Sequence, residues 1–589
     1  MIDAVEAVAD DVHDARMAAS PLEASLLGDH RFDAAVPDVS PEGVAAARRT
    51  LATLADRLAR IDDAASTADR ATVDVAVHAV AHAIHDLDDR YLRTAAGPMT
   101  SGAGIGAAAA ALLAALPKLV LRDAAHAEDH LARCRRIPGW LADAEAQLQA
   151  GVDAGCVPPA RLVAATVRVV DRYLATDPAH DPLLLAAPPG HRDPVGWRAA
   201  LGDVLATQVR PALRRHRHVL AHDVSPAARP DDAVGLVHLP GGADLYADAV
   251  RLHTTTDDTP ERYHQLGLDL VAALAEEYGE LGARVLGTAD PDEIFGRLRD
   301  DPALRFTTSE EVLATAEASL RRAEQAMGEW FDGVPRIPCE VRGIPALEAP
   351  DSTIAYYQPP AVDGSRPGTY YVNTSEPHLR SRFEAEVLAF HESVPGHNTQ
   401  IATAMELELP MLRRVHYLTA HAEGWGLYVE RLAEEMGLYS DDVSRLGMLS
   451  FDSWRACRLV VDTGMHAFGW SRQQAVAYMR DNSPQSPRNI ANEVDRYIGW
   501  PGQALAYMAG RIRIEALRDR ARRALGPRFD VAGFHGVVLG HAAVPLRTLE
   551  QLIDRWIGDR MTRGDHTTHT AGPDTEVRGA RLREDRSSR

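Results

Sequence analysis

Long stretches of the chain repeat apolar residues at helical spacing. Two examples are PEGVAAARRTLATLADRLARIDDAAS, which begins at residue 41, and TSEEVLATAEASLRRAEQAMGEWF, which begins at residue 308. Both are rich in Ala, Leu, Arg and Glu, residues that favour helices, and their apolar positions fall on one helical face. The pattern therefore predicts a mainly α-helical fold.

One region departs from this pattern. Between about residues 336 and 374, the short β-prone runs CEVRGI, TIAYYQPP and GTYYVNT are separated by Pro and Gly. We expect them to form a small antiparallel β-sheet beside the helices. Short strands in this position could hold an extended ligand by pairing along an edge.

Turn-forming segments divide the chain. HDVSPAARPDD (residues 222–232) and HLPGGADLY (residues 238–246) are rich in Pro, Gly and Asp. We predict an N-terminal helical lobe over residues 1–235 and a catalytic helical region over 236–558. Residues 559–589 are polar with almost no large apolar side chains, which predicts a disordered tail in which His566 and His569 are solvated.

An amphipathic helix is predicted around a His-Glu pair, His391 and Glu392. Upstream and downstream of the pair, apolar residues recur at steps of four, four, three and four, and so share one helical face. These residues are Leu379, Phe383, Val387, Phe390 and Val394. The pattern places the His-Glu pair inside a packed helix, next to its buried stripe.

The segment AEVLAFHESVPGHNTQ (residues 385–400) differs from the zinc-peptidase motif H-E-x-x-H, because Pro395 stands where the second histidine would be. In a continuous helix, His391 and His397 would lie roughly 240° apart around the axis and could not bind one ion. Pro395 interrupts the helix, and Gly396 permits a turn there. We therefore expect His397 to fold back over the preceding turn.

A hydrolytic zinc site needs a third protein ligand and an open position for water. Glu423 lies 26 residues after His397, on a second predicted helix, in HAEGWGLYVERLAEEMG. It would complete a His₂Glu set, with Glu392 as the carboxylate that accepts a proton from water. His421 is a rival third ligand, and His416 is expected to be structural.

The chain is acidic, with 84 Asp and Glu against 63 Lys and Arg and a net charge of −21. This balance argues against general binding to nucleic acid or anionic membranes, which requires clustered cations. The four cysteines show no C-x-x-C spacing, and the N-terminus has no apolar signal segment. No run is apolar enough to predict a membrane span, so a cytoplasmic location is expected.

Several blocks of the sequence resemble the bacterial domain-of-unknown-function 885 family. They are HESVPGHNTQ, HAEGWGLYVE, DTGMHAFGWSRQQAVAYM and RYIGWPGQALAYMAGRIRIEALRDRA, supported by SLLGDHRFDAAVPDVSPEG near the start and FDVAGFHGVVLGHAAVPLRTLEQLIDRWI near the end. The resemblance spans roughly residues 22–557. That family is similar in fold and motif order to the helical gluzincins, such as carboxypeptidase Taq, thimet oligopeptidase and angiotensin-converting enzyme.

The resemblance implies a two-lobed helical fold with a deep central cleft. It also implies one Zn²⁺ per chain, bound by His391, His397 and Glu423, with Glu392 as general base. By block position, His466 and Tyr507 would stabilise the reaction intermediate. The residues expected to bind substrate are Arg496, Tyr497 and Arg511.

The leading hypothesis is a zinc peptidase that acts on short peptides, as a carboxypeptidase or an oligopeptidase. A zinc amidohydrolase with one small amide substrate would use the same residues. A helical binding protein without catalytic activity is the third hypothesis, and the free carboxylate of Glu392 argues against it, because a structural zinc site is fully coordinated by protein.

Overall fold

The structure is a computed structural model that describes residues 2–565, except 62–65, 98–103, 334–336, 346–348, 350–352, 361 and 363–366. The fold is mainly α-helical, as predicted, with one small sheet. In chain order the α-helices are α1 (Ile2–Ala19), α2 (Pro21–Leu27), α3 (Pro41–Leu58), α4 (Thr67–Asp86), α5 (Asp89–Thr94), α6 (Ala108–Ala115), α7 (Ala124–Ala154), α8 (Ala160–Leu174), α9 (Pro194–Val204), α10 (Arg210–Val219), α11 (Gly242–Thr254), α12 (Pro260–Val285), α13 (Pro291–Asp300), α14 (Ser309–Ala326), α15 (Ala385–Glu392), α16 (His397–Glu406), α17 (Met411–Val415), α18 (Thr419–Glu435), α19 (Asp442–His466), α20 (Arg472–Asp481), α21 (Pro487–Gly499), α22 (Gln503–Leu525), α23 (Val531–Leu539) and α24 (Leu546–Asp565). The strands are β1 (Cys339–Gly343), β2 (Ala355–Gln358) and β3 (Gly368–Val372).

Helices from both ends of the chain share one hydrophobic core. Val8 of α1 and Leu54 of α3 lie in the same buried cluster as Trp425 of α18 and Leu552 of α24. The first helices therefore pack directly against the segment that carries the predicted metal ligands. The predicted division into two lobes at residue 235, with a deep cleft between them, stays a prediction.

Two central helices are buried on every side. Each residue from Thr419 to Glu430 in α18 is buried, and so is each residue from Leu446 to His466 in α19. A helix that is enclosed in this way has no solvent-facing stripe, so its polar side chains must find partners inside the protein. This requirement brings the charged residues of α18 and α19 together.

The predicted sheet exists, but it is mixed rather than antiparallel. Its strand order is β1-β3-β2, with β2 and β3 antiparallel and β1 and β3 parallel. Tyr370, at the centre of β3, pairs with Val341 on one side and Tyr357 on the other. The β2–β3 pair forms an antiparallel hairpin whose second strand inserts beside β1 in the same direction, an order that strand propensity alone does not specify.

Two helix boundaries differ from the sequence pattern. Helix α15 begins only at Ala385, and Leu379 lies in a preceding 3₁₀ turn with 49% of its surface exposed. Phe383 and Phe390 are buried, as predicted. At the other end of the chain, α24 continues to Asp565, past the predicted start of the tail at residue 559. The rest of that tail, with His566 and His569, lies outside the described residues.

Helices α18 and α22 approach closely through two glycines. A Cβ atom on Gly510 would lie 1.8 Å from the carbonyl oxygen of Ala420, and one on Gly424 would lie 2.5 Å from the Cα of Gly510. Neither position has room for a side chain against rigid backbone. The contact therefore fixes the position of α18 relative to α22.

Within the described part of the chain, no helix combines the length and the apolar composition needed to span a bilayer. All four cysteines are free thiols.

We expect Gly510→Ala to lower the free energy of unfolding by about 2 kcal/mol or more, because an overpacked core must shift backbone to relieve the clash. Chemical denaturation followed by circular dichroism measures this difference. Gly296→Ala in α13 is the matched control, because a Cβ there meets nothing within 4 Å. Equal stability of the two variants would show that α18 and α22 can move apart without lowering the free energy of unfolding.

Candidate metal centre

The chain turns back between the two histidines of the motif. Helix α15 ends at Glu392, and α16 begins at His397, so the helix is interrupted in the region where Pro395 predicts it. Gly396 has a φ of −77°, which any residue can adopt. Glycine is needed there for space instead, because a Cβ would lie 1.9 Å from the carbonyl oxygen of His391.

A tryptophan from the neighbouring helix holds this turn. The indole Nε1 of Trp425 donates a hydrogen bond to the carbonyl oxygen of Pro395 at 3.0 Å. Trp425 follows Glu423 by two residues on α18, so the same helix that supplies the third predicted ligand also orients the loop between the first two.

The turn brings the three predicted metal ligands together. Each of His391, His397 and Glu423 offers one donor atom, and these atoms lie within 4.8 Å of one another. The Nε2 atoms of His391 and His397 are 3.6 Å and 3.4 Å from Oε2 of Glu423. All three residues are at most 8% exposed. The donor types and their spacing fit a divalent transition metal.

The electrostatics of this group follow from its burial and its close contacts. Burial alone would raise the pKa of Glu423, but the imidazoles of His397 and His391 hold it well below its usual value. Burial would likewise lower the pKa of His391, but hydrogen bonds to Glu423 and Glu430 raise it to about 9. Without a metal ion, Glu423 and Glu430 therefore favour the protonated form of His391. A metal ion would displace that proton on binding.

A second carboxylate, missed by the sequence analysis, orients His391. Oε1 of the fully buried Glu430 lies 2.8 Å from Nδ1 of His391, which leaves Nε2 to face Glu423. Arg455 of α19 lies 3.5 Å from the same carboxylate oxygen and offsets its charge. Glu430 follows Glu423 by seven residues on one helix, so their spacing places both on the same face. That spacing was the available signal.

Helix α18 also provides the space for the imidazole of His391. A Cβ atom on Gly426 would lie 2.6 Å from Cε1 of that ring. Any side chain at this position would displace His391 or push α18 away from α15. This role is not visible in the sequence, because the histidine and the glycine are 35 residues apart.

A tyrosine that the sequence analysis did not single out completes the surroundings of Glu423. The Tyr417 hydroxyl donates to Oε1 of Glu423 at 2.7 Å, so Oε2 is the oxygen that faces both imidazoles. Tyr417 lies just before α18 and belongs to no helical pattern. Tyr507 of α22, predicted by block position, is half-buried, and burial together with the Glu423 carboxylate raises its pKa.

Glu392 is half-buried, next to the first ligand in sequence. Among the described residues, its carboxylate has neither a hydrogen-bond partner nor an ion-pair partner. Its negative charge nevertheless acts on His391 and on Tyr417. The position and the unpaired state are those expected of a general base.

The structure does not support the predicted role of His466. Both of its ring nitrogens are engaged by backbone: Nδ1 accepts a hydrogen bond from the amide of Leu236 at 3.1 Å, and Nε2 lies 3.1 Å from the carbonyl oxygen of Tyr497. Burial lowers the pKa of His466 to about 3, so the ring is neutral. It links two segments of the core and has no nitrogen free for a substrate.

The other histidines considered as alternatives also lie in the interior. His421 is buried, with Nδ1 3.1 Å from the carbonyl oxygen of Val544, and burial lowers its pKa to about 4. It is not part of the group formed by the three predicted ligands. His416 contacts His78, with 3.1 Å between their ring nitrogens. Its structural role is therefore consistent with the sequence analysis.

The residues predicted to bind substrate are engaged within the protein. Arg496 donates to Glu493 and Gln503. The Tyr497 hydroxyl donates to Glu493 at 2.7 Å. Arg511 is paired with Asp452 and Glu515. Burial forces these partnerships, since a charged group without a partner would be costly in the interior.

The fold and the His–His–Glu group define a mainly helical protein with a candidate metal centre. The chain belongs to the family described as bacterial protein of unknown function, DUF885, whose profile matches residues 21–553. The family resemblance read from the motif blocks is thereby confirmed. The similarity to helical gluzincins stays a prediction. No curated protein matches the sequence.

Two solved structures share the fold over nearly their whole length. One is titled a putative lipoprotein from Colwellia psychrerythraea, with 24% identity and a TM-score of 0.86 over 94% of this chain and 99% of that one. The other is titled a putative lipoprotein of unknown function from Shewanella oneidensis, with 17% identity and a TM-score of 0.74 over 93% and 98%. At these identities the likeness establishes the fold. The cytoplasmic location stays a prediction.

We expect Glu430→Gln to weaken zinc binding by about 10- to 100-fold, because the amide cannot hold the His391 ring as a charged acceptor does. Competition with a chromogenic chelator measures the dissociation constant. Glu434→Gln is the matched control on α18, since Glu434 pairs with Arg445 near the surface. Unchanged affinity in the Glu430 variant would remove Glu430 from the metal site.

Proposed function

We propose that this protein is a zinc-dependent hydrolase that cleaves amide bonds in short peptides. The observation that carries the proposal is the convergence of His391, His397 and Glu423, with an unpaired Glu392 beside them. Two imidazoles and one carboxylate are a ligand set of catalytic zinc sites, which keep a further position open. When bound, the ion would supply a Lewis acid that polarises a carbonyl group and lowers the pKa of water.

In this proposal, the side chains of the chain divide the remaining work. Glu392 accepts a proton from the attacking water and transfers it to the leaving amine. Glu430 keeps the ring of His391 oriented, with Nδ1 engaged and Nε2 directed at the ligand group. Tyr507 or Tyr417, whose hydroxyls are near Glu423, would donate a hydrogen bond to the oxygen that becomes negative during the reaction.

In this proposal, an extended substrate binds beside the small sheet. Among the described strands, β2 lies at an edge, and its Tyr357 donates a hydrogen bond to Asn398 at 2.9 Å. Asn398 follows the ligand His397 directly, so this edge and the candidate metal centre are adjacent. A peptide in extended conformation can pair with such an edge through its backbone. The enclosed ligands favour a short or flexible substrate over a folded protein.

We include in this proposal a likeness to helical gluzincins. The motif of this chain differs from theirs in one respect. The spacer H-E-x-x-P-G-H replaces H-E-x-x-H, and the turn at residues 393–396 takes the place of one helical turn. A zinc amidohydrolase with one small amide as substrate would use the same side chains. Profiling with a mixed short-peptide library and with a panel of small amides distinguishes the two substrate classes.

We expect Glu392→Gln to lower the rate of amide hydrolysis by about 10²- to 10⁴-fold while the zinc content is retained, because the amide cannot accept the proton. Mass spectrometry of a peptide library measures hydrolysis, and elemental analysis measures zinc. Glu408→Gln, at an exposed position beyond α16, is the control. Unchanged activity would exclude Glu392 as the base, and loss of zinc would make it a ligand.

Removal of the metal with a chelator should abolish hydrolysis, and zinc should restore it. Mn²⁺ and Co²⁺ accept the same ligands and should restore activity in part. Measurement of the initial rate on one cleaved peptide, before and after dialysis against each ion, tests this. Activity that survives complete removal of metal would contradict the proposal. A protein that binds metal but hydrolyses neither peptides nor amides would be a binding protein.

A further inference from the structure

A second group of potential metal ligands lies far along the chain from the first. His30 and Asp33 belong to the 3₁₀ turn that follows α2, and His126 lies in the first turn of α7. Each offers one donor atom, and the three atoms lie within 4.8 Å of one another. The two imidazoles are packed together, with 4.2 Å between their ring centroids. His30 and His126 are half-buried, and Asp33 is buried.

The carboxylate of Asp33 is already held in position. One of its oxygens, Oδ2, lies 2.8 Å from Nδ1 of His30. The other, Oδ1, accepts a hydrogen bond from the hydroxyl of Ser25. Metal-binding carboxylates are commonly fixed in this way by a further hydrogen bond. Oδ2 and the imidazole of His30 are therefore held in direct contact with each other.

Buried donor atoms at this group lack partners. Nε2 of His30 and Nδ1 of His126 are enclosed by protein, and neither has a hydrogen-bond partner among the described residues. A fourth group is at hand, because Oδ1 of Asp123 lies 3.3 Å from Nδ1 of His126. Asp123 is also the N-cap of α7, where Oδ1 accepts hydrogen bonds from the amides of Ala125 and His126, and its side chain is exposed to solvent.

The surrounding charge favours a dication overall. Asp33 and Asp123 contribute two negative charges, and among the described residues the buried cation paired with Asp33 is Arg133, whose Nη2 is 3.9 Å away. That guanidinium is turned mainly toward backbone, with hydrogen bonds to the carbonyl oxygens of Ala35 and Phe32. The site therefore has a net negative charge when the imidazoles are neutral.

We propose that His30, Asp33 and His126 form a second metal site that binds a late first-row divalent cation such as zinc. Two imidazoles with one or two carboxylates suit zinc better than calcium or magnesium, which prefer all-oxygen coordination. With Asp123 as the fourth ligand, the coordination would be closed, as in a structural site. The ion would tie the turn after α2 to the start of α7. This inference does not depend on the proposed hydrolase activity.

The test is the zinc stoichiometry of the full chain, measured by elemental analysis after saturation with zinc and removal of loosely bound ions. We expect two zinc ions per chain in the natural protein, one in His126→Gln and one in His391→Ala. His180→Gln is the matched control, since His180 also lies near an aspartate, Asp177 at 3.5 Å, but belongs to no such group and is 84% exposed in its side chain. It should retain two.

The outcomes separate this inference from the proposed hydrolase site. One zinc per natural chain that disappears in the His391 variant and persists in the His126 variant overturns the second site alone. One zinc that disappears only in the His126 variant supports the second site and overturns the first. If His126→Gln fails to fold, the zinc-induced rise in melting temperature is compared between the natural chain and Asp33→Asn. We expect a smaller rise in Asp33→Asn, and an equal rise in both overturns the second site.

Discussion

The candidate metal centre depends on how closely helix α18 can approach its neighbours. On one side Gly424 packs against Gly510 of α22 with no room for a side chain, and on the other Gly426 accepts the imidazole of His391. Both glycines follow Glu423 within three residues and fix its distance from both neighbouring helices. Glycine inside a helix costs stability relative to alanine. That cost is offset here by contacts that a larger residue would prevent.

Burial of α18 places charge where water cannot screen it. Glu430 is fully enclosed, and its charge is shared between His391 and Arg455. Glu423 is enclosed as well, and its oxygens are divided between the Tyr417 hydroxyl and the two imidazoles. Buried charges are stable only when such partners offset the loss of hydration. The network thus holds His391 and Glu423 in one orientation before any ion or substrate binds.

The sequence predicted those features that depend on local pattern. Helical periodicity gave the fold class, and Pro395 gave the break after α15. The distance from His397 to a second predicted helix gave Glu423, and spacing along that helix contained the signal for Glu430. It did not give the order of the three strands, because alternation and propensity identify a strand but not its neighbours. Tyr417 belongs to no periodic segment. The role expected for His466 was inferred from block order, which does not show that burial gives both ring nitrogens backbone partners.

The two candidate metal groups differ in what an ion would contribute to each. The candidate ligands His391 and Glu423 are held by buried helices and by hydrogen bonds to residues outside the group, so their geometry does not require an ion. His30 lies in a 3₁₀ turn that ends at Asp33, and α7 contacts this region through His126 and through the hydrogen bonds of Arg133 to backbone carbonyls. An ion at the first group would therefore act mainly on bound molecules. An ion at the second would act mainly on the chain, by adding a coordinate bond between the turn and α7 to the hydrogen bonds that Arg133 already makes there.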